Sequence, residues 1–263
     1  MPRLAIVLCL AAISTACLRS TTVISISPDG SGTIVQETGV SPQAMAMLQG
    51  MAAGGEQKGM PAEMFGEEHA QKIASTMGVR FVSGEPIKTA QLEGYRARFA
   101  FDDVRKLQMK MNQEATAALG GGKAGGEPPF GFGFERRGDS AILTITMPQE
   151  KPEGLSGIGA GMGGATAGET TPEQNAQALQ MMKMMMQGMF VDISLEVDGR
   201  IIKTNAPHVD GSRLTLIQLD FDKLLADESG LTQLQKATDL QSLGNVAGLK
   251  VITDRTVTVE FAK

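Results

Sequence analysis

The sequence predicts an α+β fold, an antiparallel sheet or pair of sheets with helices packed on one face. Three observations carry that expectation. Alternating, β-branched runs are separated by turn-forming clusters such as Pro28-Asp29-Gly30-Ser31-Gly32 and Asp198-Gly199. Helical runs open at Ser41-Pro42 and Thr171-Pro172 and close at glycine. The same succession also occurs twice along the chain. Strands joined by short turns pair antiparallel, and helices then cover one face of the sheet.

Taken in order, "TTVISISPDGSGTIVQETG" reads as a β-hairpin over 21–38. A short Met/Ala-rich helix follows from Ser41-Pro42 to about Met51, with serine as N-cap and proline at the first position. A second helix is expected over 62–77, closed by Gly78. "VRFVSGEPIKT" and "GYRARFAFDD" are two further strands. In the latter, Tyr95, Ala97, Phe99 and Phe101 share one face, and Arg96 and Arg98 the other. "DDVRKLQM" turns helical.

The second half begins with a hairpin over 130–147, "FGFGFERRGDSAILTITMP". A helix from Thr171-Pro172 to Gln187 follows, with Thr171 and Gln174 as a capping box and Gly188 as its stop. "FVDISLEVDGRIIKTN" reads as a hairpin turning at Asp198-Gly199, with Val191, Ile193, Leu195 and Val197 on one face. "RLTLIQLDFDKLLAD" is a strand running into a short helix. The tail gives a helix near 231–242 and a last strand, "KVITDRTVTVEFA".

Ile87-Lys88-Thr89 recurs as Ile202-Lys203-Thr204, and "EGYRARFAFDDVRKL" answers "DGSRLTLIQLDFDKLL". An internal ββαββ duplication is therefore inferred. The layout becomes a leader, 1–16; a lipidated N-terminus and tether, 17–20; a first half, 21–111; a Gly-rich linker, 112–129; a hairpin, 130–148; a Gly-rich insertion, 149–170; and the rest of the second half, 171–263. The two Gly-rich stretches have the composition of disordered segments.

Both cysteines lie in "LAIVLCLAAISTACLRS". Met1-Pro2-Arg3 is a positive n-region, and residues 4–13 are an apolar run too short to cross about 30 Å of hydrocarbon, which takes about 20 residues. Ser14-Thr15-Ala16 before Cys17 resembles the lipobox of bacterial lipoproteins. That resemblance implies cleavage before Cys17 and diacylation of its sulfur, with Cys9 discarded in the leader. Leu18 rather than aspartate after the cysteine implies, by enterobacterial sorting rules, the outer membrane with the domain facing the periplasm.

The mature chain then has no free thiol, which excludes a disulfide framework and cysteine catalysis. Loss of Arg3 takes the formal charge from −5 to −6, evenly spread, which argues against nucleic acid. With no tryptophan and Tyr95 alone, a carbohydrate platform of stacked rings is also disfavoured.

Among candidate sites, Gly159, Gly161 and Gly164 match the letters of G-x-G-x-x-G but lack the preceding strand and following helix, so they read as linker. "NAQALQMMKMMMQGMF" places Leu179, Met181, Met182, Met185, Met186 and Met189 on one helical face, with Met184 among the polar residues opposite. Core packing is the first reading. Soft-metal binding, copper above all, is the alternative, with Met182, Met186, Met189, Met64 and His69 as ligands. Met45, Met47, Met51 and Met60 join Met64 in a looser second group. His208, near Asp210, is a loop histidine. No G-x-S-x-G elbow supports a Ser-His-Asp hydrolase. Asp102, Asp103, Asp220 and Asp222 sit at strand ends, where N-capping explains them better than acid–base chemistry.

The lipobox, the "PDGSGT" hairpin and "GRIIKTNAPHVDGSRLTL" together look like the LppM-like and other uncharacterised bacterial lipoproteins. This implies a surface or periplasmic α+β domain that binds lipids or glycolipids, and it brings no catalytic residues. The expected function is thus a non-enzymatic, membrane-anchored module for a lipid, peptide or envelope protein, without cofactor. Copper handling is the second reading and a hydrolase the third.

Overall fold

The computed structural model describes residues 18–46, 65–109, 130–147, 187–226, 241–244 and 246–263, with positions 49, 230 and 233 between them. The α+β class holds, built as two sheets that share one core. β1 (Leu18–Ile26) and β2 (Gly32–Val40) form the expected hairpin. In its turn Asp29 Oδ1 accepts hydrogen bonds from the Ser31 amide at 2.9 Å and the Ser31 hydroxyl at 2.6 Å. Those bonds favour the carboxylate and hold the Asp29 pKa below its ordinary value.

The helix after Ser41 begins as expected. Positions 42–46 are helical, and Ser41 Oγ accepts the Ala44 amide at 3.1 Å. Helix α1 (Glu67–Met77) starts five residues later than the pattern suggested, after an extended Gly66, and ends at Gly78 with φ 70°. Its buried Ala70, Ala74 and Met77 pack against β3 (Arg80–Lys88) and β4 (Glu93–Phe101). Phe81 and Phe99 meet edge-to-face at 6.1 Å beneath it. A 3₁₀ turn, Val104–Lys106, follows.

β5 (Gly131–Arg137) and β6 (Ser140–Thr146) make the second expected hairpin. The next expected hairpin does not form. β7 (Phe190–Val197) joins the first sheet, lying parallel to β1, whereas β8 (Arg200–Thr204) crosses to the second sheet and pairs with β12 (Thr256–Ala262). At the corner the Asp198 amide bonds the Ile26 carbonyl at 2.8 Å, a partner outside any β7–β8 turn. Gly199 sits at φ 150°, and a Cβ there would lie 2.3 Å from the Ala262 carbonyl oxygen. Only glycine lets the chain change sheets so close to β12. Asp-Gly between alternating runs signals a tight turn, and here it serves as a corner between two sheets.

β9 (Val209–Asp210) and β10 (Arg213–Asp220) return the chain to the first sheet, and α2 (Phe221–Ala226) follows as expected. The expected last strand is also divided. β11 (Leu249–Val251) pairs with β10, and β12 pairs with β6 in the other sheet. The cause is a bulge in β10 at Leu216: its carbonyl accepts the Ile252 amide at 3.1 Å, which holds the chain where it leaves the sheet.

The first sheet runs β11-β10-β7-β1-β2-β4-β3, with β9 beside β10, and the second β5-β6-β12-β8. Ile24, Ile34, Leu195, Leu214 and Phe99 from one, with Leu143, Ile145, Val257, Val259 and Phe261 from the other, are fully enclosed in a single core. The inferred duplication is therefore not expressed as two equivalent sheets. β1 to β4 stay together, whereas the strands of the second half are divided between both sheets. The expected tether is corrected as well, since Leu18, Arg19 and Ser20 already belong to β1. The leader, both Gly-rich stretches, most of the methionine helix and most of the 231–242 helix lie outside the described residues.

Replacing Gly199 by alanine is expected to cost more than about 2 kcal/mol, because strain and a backbone clash coincide. Gly138→Ala, at φ 59° with nothing within 4 Å of the new methyl, is expected to cost only about 1 kcal/mol. Urea unfolding of the two variants checks the contrast.

Candidate functional site

Inward residues of β1 alternate with Arg19, Thr21, Val23 and Ser25 on its other face. The register places Asp192 opposite Thr21 and Gln218, and Ser194 opposite Val23 and Thr215. Both are buried, at 5% and 0% exposure, although they lie on the face away from the main core. Asp192 Oδ1 accepts a hydrogen bond from the Ser194 hydroxyl and another from Arg213 Nη2 at 3.0 Å. Arg213 Nη2 also donates to Ser194 Oγ at 2.6 Å, and Gln218 Nε2 donates to Asp192 Oδ2 at 3.2 Å. A carboxylate buried on a strand is tolerable only with such partners. The serine hydroxyl is turned to the carboxylate with no histidine in its hydrogen bonds, so the cluster suits fixing four positions on two strands better than nucleophilic attack.

Sequence reasoning followed the apolar face of β7 and passed over this cluster. The signal was present in "VDIS", where an aspartate and a serine occupy the alternate positions of a strand interior. What the sequence alone lacked was the pairing partner that brings Arg213 and Gln218 beside them.

Next to this cluster, Arg19 lies over the Phe190 ring at 5.1 Å. Farther along the same face Arg96 joins β2 to β3, donating through Nε to Glu37 at 2.6 Å and through Nη1 to Glu85 at 2.7 Å. All three side chains are exposed enough for solvent to weaken these pairs.

Two of the four strand-end aspartates, Asp103 and Asp220, cap. Asp103 Oδ1 accepts the Arg105 amide at 3.0 Å, and its carboxylate pairs with the Arg105 guanidinium at 2.8 Å. The Arg105 side-chain bonds hold the Asp103 pKa down at about 2. Asp220 Oδ1 accepts the Lys223 amide at 3.2 Å and caps α2, and Asp222 Oδ1 accepts the Gly188 amide at 2.7 Å. Asp102 is exposed.

Of the methionine set, Met182, Met186 and Met64 lie outside the described residues. Met189 is 4% exposed and packs in the core, where it serves as filler. His69 is half-buried on α1, above β3 and β4, so two strands, β1 and β2, separate its helix from β7 and Met189. His208 lies before β9, and its carbonyl accepts the Thr215 amide at 3.0 Å. Among the described residues no three His, Cys, Asp or Glu side chains converge, and no helix is long and apolar enough to cross a membrane.

No protein-family model and no curated protein matches the chain. Among solved structures, the chain is similar to the folded domain of LppM from Mycobacterium tuberculosis, with 9% identity and a TM-score of 0.35 over 95% of this chain and 91% of that one. A likeness of this strength assigns neither a family nor an activity.

Two measurements test these assignments. Asp192→Ala is expected to cost about 2 kcal/mol, since it leaves the enclosed Ser194 hydroxyl without its acceptor, and Arg213→Ala about 1 kcal/mol. Their double-mutant cycle is expected to show coupling of about 1 kcal/mol. Burial, then the nearby Lys72 charge, lowers the His69 pKa below 6.5. The unfolded chain therefore binds this proton more readily, and stability falls as pH drops through about 6.5 toward the folded-state value. His69→Gln is expected to flatten that limb in unfolding curves taken between pH 7 and 5.

Proposed function

We propose that the protein is a bacterial lipoprotein held in the cell envelope by acyl chains on Cys17. Its α+β domain serves as a non-catalytic module that binds a lipid, peptide or protein partner. The observation that carries this reading is the N-terminal sequence, a charged start, the apolar run 4–13 and Ser14-Thr15-Ala16-Cys17 directly before the first strand. In this reading the leader is cut before Cys17, one residue ahead of the first described strand. Two or more acyl chains hold a protein stably on a bilayer, with about 0.8 kcal/mol for each buried CH₂.

The outer membrane, with the domain facing the periplasm, is the proposed address, supported by Leu18 after the cysteine. Leu18 has a second reason to be apolar, being only 5% exposed at the start of β1. The non-catalytic role is supported by the commitments of the polar side chains. Asp192 and Ser194 satisfy each other and Arg213, and Asp103 and Asp220 cap helical turns.

Cys17→Ala in the full chain is expected to abolish acylation and to move the protein out of the membrane fraction. Mass spectrometry of the N-terminal peptide and fractionation of the expressing cells check this. A Cys17→Ala protein that stays membrane-bound at the original level would contradict the proposal.

A further inference from the structure

Cys17 is followed directly in the chain by Leu18, the first residue of β1. Successive Cα atoms are about 3.8 Å apart, and Leu18 is already paired with Val40 and buried. The registers identify the residues that share this end. Arg19 faces Phe190, Phe190 faces Asp220, and Glu93 faces both Val40 and Lys88. Paired strands lie about 4.8 Å apart, so Glu93 is about 10 Å from Leu18. The far end of β1 is eight residues on, about 27 Å away, beside the 28–31 turn and Phe101.

We propose that this end of the eight-stranded sheet is seated on the bilayer, with Arg19, Phe190 and the 89–92 turn against the phospholipid headgroups. The 28–31 turn then points away from the membrane. The proposal rests on acylation of Cys17 and adds the orientation that follows from a connection of no length. Arg19 is exposed and Phe190 half-buried, an amphipathic pair suited to the headgroup layer. Among the described residues, the side chains named by these registers and the adjoining helix balance in charge, with Arg19, Lys88 and Lys223 against Glu93, Asp220 and Asp222. The seating therefore comes from the anchor's position rather than from attraction to anionic lipid, and it persists in high salt.

The mature chain offers no other thiol once Cys17 is acylated, so one introduced cysteine accepts a single label. Gln91→Cys and Asp102→Cys, both exposed, lie beyond opposite ends of β4. Full-length, processed protein bearing a fluorophore at either site is reconstituted into phosphatidylcholine–phosphatidylglycerol vesicles carrying a headgroup nitroxide. Quenching is expected to be at least about threefold greater at Gln91→Cys, from the difference in height along the strand, and equal in 0.1 M and 1 M salt. A twelve-residue Gly/Ser insertion between Cys17 and Leu18, spanning about 20 Å, is expected to erase the difference. Equal quenching at the two sites in acylated protein overturns the orientation alone, as does a difference that survives the insertion. An N-terminal peptide without acyl groups on Cys17 overturns both this proposal and the lipoprotein reading.

Discussion

Everything in this molecule depends on the pairing of β1 with a neighbour on each side. β2 binds it antiparallel over nine residue pairs, and β7 binds it parallel over eight. The hairpin partner is local, held by a five-residue connection, but β7 arrives from more than 160 residues later in the sequence. Closing so long a loop is entropically costly only in proportion to the logarithm of its length. The cost is met by Ile24, Ile26, Leu195 and Val197, which lie side by side and are all buried in the core. Parallel pairing of a first strand with a late one also makes the sheet one unit, since neither half can complete it alone.

The same register accounts for the polar cluster. Because side chains alternate, putting Ile193 and Leu195 in the core necessarily puts Asp192 and Ser194 on the opposite face, beside β1 and β10. A slip of one residue would bury Glu196 and Arg213 in the core and expose Leu195 and Leu214. The hydrogen bonds among Asp192, Ser194, Arg213 and Gln218 therefore do for register what hydrophobic burial alone does less specifically. They are formed only when β7 and β10 stand in the observed alignment, including the Leu216 bulge.

Local structure was legible in the sequence, and long-range pairing was not. The 28–31 turn, the Ser41 cap, the Gly78 stop, the 18–40 and 131–146 hairpins and the Asp103 and Asp220 caps all follow from short-range chemistry. The errors share one cause. Asp198-Gly199 and the break after Val251 look from sequence like a turn and a continuous strand, because only the approach of Ala262 and the Leu216 carbonyl makes them crossings between sheets. The tether failed for a related reason. "LRST" has no distinctive strand signal, and its order comes from Val40 and Phe190 on either side. The Asp192 cluster was half visible, since the sequence supplies the acceptors but not the strand that brings the donors.

The central claim is that β1 is ordered from its first residue, so that the strand organising the sheet is also the one that follows the proposed anchor. Hydrogen exchange on the full-length, membrane-bound protein tests this most directly. The account predicts that the Arg19 to Ser25 amides in register with β2 and β7 exchange only at the rate of global unfolding, with protection reaching the start of the strand. Rapid exchange confined to the first three residues, with protection beginning only near Thr22, would show a free tether and contradict it.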